Sequence, residues 1–487
     1  VKILIKNAAM VYTFDHQRAI YKRGVVVTEN NMITHVGPAD PEIEAGQAFD
    51  EIIDATNCVV LPGLINTHHH FYQNVTRNIP LVHKSSLLDW LMYLYTVWNE
   101  IDEEAIYEAS RVAIGELLLT GCTTTTDFSY IYPREKPYLL DYVIKAAEEM
   151  GIRMHAFRGC MPVMESDLAY KLEKYFKVDT NKLIEDKDRA LEVSEHYFSK
   201  YHDQSEFSML RIGTGPTTIL INDLGFMTEI KELATKYNGL CHTHLHPRED
   251  EVVACREANN CTPLEYLENI GWLDRNTFLA HATKHTSADI KIVAANNTSV
   301  THSPSCHMRL GYPVAPIPEM VANGVNVGIG VDGGASNDSG NMLGELRTTM
   351  MVHRIEGVHG DFRREDWFGP ADVFEMATTN GARLLNRDDI GMLATGKAAD
   401  IIMYDLSTIP YAGGLSDSLG ALVYCGASGI VDTSIINGNI VVKNKKLITA
   451  DEHEIARKAN YVSEKLLKKA ASKTGIDYLL AINGYKE

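Results

Sequence analysis

The chain has 487 residues, 45% of them hydrophobic, a formal net charge of −18 and eight cysteines. That length exceeds one ordinary domain and suits a barrel of roughly 250–400 residues with a smaller module. The acidic balance argues against nucleic acid and anionic membranes as partners, and no apolar run approaches the ~18 residues of a membrane span.

The N-terminus shows no signal-like segment. The cysteines, at 58, 122, 160, 241, 255, 261, 306 and 425, lack paired spacing, so a reducing, cytoplasmic setting without disulfides is expected. Residues 1–60 read as short strands: Lys2–Lys6, Gly24–Thr28 and Ile33–Gly37, with a turn at Glu29–Asn31. Cys58–Leu61 leads into Pro62-Gly63-Leu64-Ile65-Asn66-Thr67-His68-His69-His70. Residues 87–119 carry Leu87, Leu88, Leu91, Leu94 and Tyr95 at helical spacing. From there strands and helices alternate. Strands are predicted at 121–127, 153–158, 209–213, 239–244, 277–281, 299–302 and 325–332. Helices are predicted at about 137–150, 223–237, 249–258, 287–295 and 317–323, and residues 163–203 read as mostly helical. Eight such units argue a distorted (β/α)8 TIM barrel over 61–389. Segments 399–404 and 431–443 return to the strand texture of the N-terminus. A small β-sandwich from both chain ends, 1–60 with 390–447, is therefore expected, followed by a helical tail over 448–487.

Active sites of such barrels lie at the C-terminal ends of the strands. Those ends carry His68 and His70, His242 and His244, His281, and Asp332. A His-x-His strand end places both rings on one face, and neutral imidazole suits zinc or iron. Three histidines and an aspartate with an open position match a catalytic metal site. A bound metal lowers the pKa of water toward ~7. Asp332 is placed to take the water's proton, and His281 to hydrogen-bond the attacked atom or the hydroxide. No lysine occurs between residues 201 and 230 to bridge a second ion, so one divalent metal is expected, zinc first and iron second.

Several stretches carry a family pattern. They are Pro62–His70 with Phe71–Arg77, His242–Leu245, Leu279–Ala282, Ser303–Leu310, Gly330–Asp338 and Gly396–Asp400. Through them the chain resembles the amidohydrolase superfamily, in its purine, pterin and triazine aminohydrolase branch, and within that the 8-oxoguanine deaminases and hydroxy-triazine aminohydrolases. The resemblance implies metal ligands His68, His70, His244 and Asp332, with His281 catalytic. It departs at two places. The branch carries a proton-shuttling glutamate three residues after the fifth-strand ligand, where this chain has Pro247. Glu249, Glu251 or His246 would then have to substitute. His307 stands where relatives carry asparagine, a substrate contact. Gln73, Trp90 and Arg158 are further candidates for orienting a flat heterocycle. The letters Gly328-x-Gly330-x-x-Gly333 match a dinucleotide pattern but overlap Asp332 and are discounted. Cys306 is expected to be buried and inert.

The expected function is hydrolytic deamination of an amino-substituted purine-, pterin- or triazine-like heterocycle by metal-activated hydroxide. The partner is a small molecule, and a homo-oligomer, dimer or higher, is expected. Two rivals stand beside it: a hydrolase of the same site chemistry with another leaving group or cyclic amide or amidine cleavage, and an inactive barrel scaffold.

Overall fold

The computed structural model describes residues 1–46, 48–133, 135–164, 166–219, 224–245, 249–355, 364–426 and 429–480. Eight parallel strands follow one another in chain order around one sheet. They are β1 (Leu64–Asn66), β2 (Cys122–Ser129), β3 (Arg153–Cys160), β4 (Leu210–Pro216), β5 (Leu240–Leu245), β6 (Thr277–His281), β7 (Ser299–His302) and β8 (Val327–Ile329). Most of these strands are buried along their whole length. A strand covered on both faces has no polar side to alternate with, which is why Thr123–Thr126 can be a continuous β-branched run. Past their last ladder bonds, β1 and β8 are tied together. Thr67 N–H donates to the Ile329 carbonyl at 2.9 Å, and Asp332 N–H donates to the His68 carbonyl at 3.0 Å. The ring is thereby nearly closed at the rim that carries the histidines.

The two chain ends share a second, mixed sheet of nine strands. Cys58–Pro62 sits in it between Lys2–Tyr12 and Ile401–Asp405. The chain leaves this sheet and enters the barrel across one residue, Gly63. A Cβ there would lie 1.9 Å from Thr123 Oγ1, so only glycine permits the approach.

The stretch 87–119 resolves into two helices, Leu87–Trp98 and Glu103–Leu119. The break falls where the Asp102 side chain accepts the Ala105 N–H and starts the second helix. Pro304–Leu310 is a short helix opened by its proline and closed by Gly311 at φ 72°. The tail is the helix Glu452–Thr474, whose Ile455, Ala459, Val462, Leu466 and Ala470 form one buried stripe. It docks behind the 87–119 helices, with Lys469 and Lys473 on Glu100 at 2.9 and 2.6 Å. All eight cysteines are unpaired. No helix among the described residues is long and apolar enough to cross a membrane.

Candidate metal centre

β1 ends at Asn66, so His68 and His70 lie in the segment just past it rather than within the strand. They still converge, because backbone on either side is held. His70 N–H donates to His69 Nδ1 at 2.8 Å, and Phe71 N–H to Asp127 Oδ1 at 2.7 Å. Gly330 allows β8 to pass beside them, since a Cβ there would meet His68 Cβ at 2.5 Å.

Hydrogen bonds fix the tautomers. A carbonyl oxygen can only accept, so a ring nitrogen in hydrogen-bond reach of one carries the proton. His70 Nδ1 lies 2.7 Å from the Phe128 carbonyl, and His244 Nδ1 lies 2.7 Å from the Thr217 carbonyl. His242 Nδ1 is 3.0 Å from the Phe278 carbonyl, which leaves its Nε2 as an acceptor for His68 Nδ1–H at 2.8 Å. Each of His68, His70 and His244 therefore aims an Nε2 lone pair into the site. His70 and His244 Nε2 are 3.2 Å apart. Asp332 Oδ1 is 3.5 Å from His70 Nε2 and 3.6 Å from His68 Nε2. His68 Nε2 is buried without a hydrogen-bond partner.

Three lone pairs and a carboxylate facing one another repel unless a cation sits among them. Ligands roughly 2.0–2.1 Å from one tetrahedral ion are about 3.3 Å from each other, and the observed separations match that spacing. The donor atoms of His68, His70 and His244 lie within 4.8 Å of one another, as do those of His68, His281 and Asp332. The residues fit a divalent metal ion held by nitrogen and oxygen.

Electrostatics agree. Burial, then the neighbouring imidazoles, hold His68 well below its ordinary pKa, and burial takes His70 and His244 down to about 4. All three rings are neutral at physiological pH, the form in which imidazole can bind a metal. Burial raises Asp332, opposed by the Cys306 thiol that donates to it. Burial and then Asp332 push Cys306 well above the usual thiol range, so that sulfur is no nucleophile.

His281 Nε2 is 3.9 Å from Asp332 Oδ2, and its ring stacks on His244 with centroids 5.4 Å apart. Its Nδ1 is 3.1 Å from His307 Nε2. His281 and Asp332 both have left-handed backbone, φ 77° and 62°, a costly conformation for residues with a Cβ. It turns the chain at two strand ends so that both side chains aim at the barrel axis.

A cavity of about 910 Å³ opens over this centre, reaching His70, His244, His281 and Asp332. Its apolar walls come from Leu87, Leu91, Met161, Met164 and Leu310. Gln73 and Trp90 line it as well. Gln73 Oε1 accepts the Ala335 N–H at 3.2 Å, and Trp90 Nε1–H donates to the Ala335 carbonyl at 3.1 Å. Two expected substrate contacts are placed elsewhere. Arg158 is fully buried, paired with Glu185 and stacked over Tyr132 at 3.7 Å, because a guanidinium cannot stay dry without its carboxylate. His307 is buried behind His281 and does not line the cavity. Pro247 and His246 lie outside the described residues, as does the side chain of Glu249, whose backbone opens the helix Glu249–Asn259. Glu251, from the first turn of that helix, lines the cavity.

The partnership of His242 with His68, and Asp127, were not singled out from sequence as working parts. Asp127 is raised to about 8 by burial and pins the backbone next to His70. In sequence His242 shows as the first half of His242-x-His244, and Asp127 as an acid closing the β-branched run Thr123–Thr126.

A parallel barrel with histidines and an aspartate gathered at its C-terminal rim defines a metal-dependent hydrolase, and the chain belongs to the amidohydrolase family, whose model matches residues 59–441. Among its relatives, a hydroxydechloroatrazine ethylaminohydrolase of Pseudomonas sp. strain ADP is 35% identical over 91% of both chains. An 8-oxoguanine deaminase of Pseudomonas aeruginosa is 33% identical over 87% of this chain and 90% of its own. Among solved structures, a zinc complex of atrazine chlorohydrolase from Arthrobacter aurescens TC1 superimposes with a TM-score of 0.87 at 29% identity. That match covers 95% of this chain and all of the other.

Proposed function

We propose that this chain hydrolyses the exocyclic carbon–nitrogen bond of an amino-substituted, flat nitrogen heterocycle, purine-, pterin- or triazine-like. The observation that carries the reading is the convergence of three Nε2 lone pairs and the Asp332 carboxylate at the floor of a cavity with apolar walls. The deaminase and ethylaminohydrolase relatives support the substrate class. His68, His70, His244 and Asp332 would hold one divalent ion. Zinc is favoured by the nitrogen-rich donor set and by the zinc-bound neighbour, and a single ion by the absence of lysine from β4. When bound, the ion supplies Lewis-acid activation of water at neutral pH.

The chain's own residues do the rest. Asp332 Oδ2, held protonatable by burial, takes a proton from the attacking water. His281, propped by His307, presents Nε2 to the attacked carbon's substituents. His307 is a positioning residue. The leaving amine needs an acid. Asp332 and Glu251 are the two carboxylates among the described cavity-lining residues, so we assign this role to Glu251 in preference to Glu249. Trp90 and the aliphatic walls bind the ring and exclude water.

The test is product analysis of the zinc-loaded protein against 8-oxoguanine, aminopterins and N-alkylamino-hydroxytriazines. Release of ammonia or an alkylamine from at least one is expected, with Asp332→Asn lowering kcat/KM by about 1000-fold, the several kcal/mol a metal site supplies. A second reading, a different leaving group, is favoured by Pro247 and by the chlorohydrolase neighbour. Turnover of a halogenated ring with no amine released from any substrate would establish it and remove the first.

A further inference from the structure

The opposite rim of the barrel gathers positive charge. Three guanidiniums meet at the N-terminal ends of β3 and β4: Arg153, Arg211 and Arg387. Two of them have dedicated carboxylates. Arg153 is clasped by Asp400 at 2.9 and 3.0 Å, and Arg387 by Asp389 at 2.7 Å through two bonds. Arg211 has none among the described residues. It donates to Ser208 Oγ at 3.2 Å and to the Asn386 carbonyl at 3.5 Å. Burial, then Arg387, pull it down to about 10. Besides Asp389, Asp203 acts on it, an exposed residue already accepting the Ser205 N–H.

Arg211 faces a separate cavity of about 460 Å³, and His155, His202 and Arg275 line it too. His155 is 2% exposed, and its Nε2 has no hydrogen-bond partner. His202 Nδ1 accepts the Ile212 N–H at 2.9 Å, so its proton sits on Nε2. That N–H approaches only the Tyr237 carbonyl and makes no hydrogen bond of good geometry. Among the described residues no carboxylate lines the cavity. Buried polar groups such as His155 Nε2 are normally satisfied, and the half-buried Arg211 guanidinium has lost much of its water with no carboxylate in return. Arginine and imidazole N–H groups around a small polar cavity are the chemistry that recognises an oxyanion.

We infer that the cavity at the N-terminal rim of the barrel, between Arg211, His155, His202 and Arg275, is a binding site for a phosphate-sized oxyanion. The anion supplies Arg211 with its missing counter-charge and ties the starts of β3, β4 and β5 together. Because it would bind the folded chain alone, it stabilises the fold by mass action. The site lies at the barrel end away from the histidine cluster, so the inference does not rest on the proposed reaction.

Isothermal titration of full-length, zinc-loaded protein with inorganic phosphate, against chloride at matched ionic strength, tests it. A binding event is expected that survives Asp332→Asn, weakens at least tenfold in Arg211→Gln, and raises Tm by about 2–4 °C at saturation in wild type. In chloride, Arg211→Gln should melt no lower than wild type, since it removes an unpartnered charge. Should that variant fail to fold, the exposed Arg275→Gln is expected to weaken phosphate at least threefold. Glycerol phosphate binding as tightly as phosphate would mark the phosphoryl group of a small molecule as the ligand; inorganic phosphate alone binding would mark the free ion. Absence of binding to wild type, or equal binding in wild type and these variants, overturns the inference.

Discussion

The two rims of the barrel pose opposite electrostatic problems. At the C-terminal rim, neutral imidazoles and one carboxylate turn acceptors toward a common point. At the N-terminal rim, arginines and histidines turn donors toward a cavity without acid. The upper set is buried, as is His155 of the lower one, while Arg211 and His202 are half-buried and Arg275 is exposed; burial strips the solvent that would otherwise satisfy such groups. The difference teaches that the scaffold is indifferent to the sign of charge. What decides the ligand is which atoms carry protons, and that is set by backbone carbonyls on one rim and by the shortage of carboxylates on the other.

The contrast can be broken first at the lower rim. Asp400→Ala leaves Arg153, itself fully buried, without its partner and is expected to cost about 3–5 kcal/mol, read as a lower denaturation midpoint at unchanged slope. A loss under 1 kcal/mol would mean that Arg153 finds other compensation. At the upper rim, His242→Ala removes the acceptor that orients His68. Metal affinity should fall about 10–100-fold with the fold intact, measured by competition with a chelator. Unchanged affinity would show that His68 needs no such support.

The smallest effect lies just behind the upper rim. Glu345 is buried, accepts the Ser305 N–H at 3.0 Å, and is raised by burial to about 7. Its folded pKa lies above its ordinary value, so its contribution to stability is full below about pH 4.5 and is lost as pH rises through about 7. Wild type should therefore lose stability between pH 5 and 8 by a component that Glu345→Gln abolishes, measurable by urea unfolding at both pH values. An identical slope in the variant would contradict it.

The upper rim was largely legible in the sequence because its residues are punctuation. His68, His70, His244, His281 and Asp332 each stand at or just past the end of an apolar strand, where a polar side chain is conspicuous. The alternation of strand and helix gave the barrel, and the shared texture of the two ends gave the second sheet. Arg158 was misplaced because a strand-borne arginine looks the same in sequence whether it meets substrate or Glu185, and Glu185 lies in a loop 27 residues on. His307 stands beside a motif, yet its distance from the cavity depends on the helix Pro304–Leu310. The lower rim was invisible. Arg153, Arg211 and Arg387 begin strands or follow helices in three separate stretches, and nothing local distinguishes them from solvated surface.

The left-handed backbone at His281 and Asp332 bears on how such an enzyme can change over evolutionary time. Few side chains tolerate that conformation, chiefly glycine, asparagine, aspartate and histidine. Drift at these two positions is therefore confined to a narrow chemical alphabet, much of it still able to accept or donate a proton. New specificities in this scaffold must arise from the cavity walls, while the strand ends stay locked to a short list of letters.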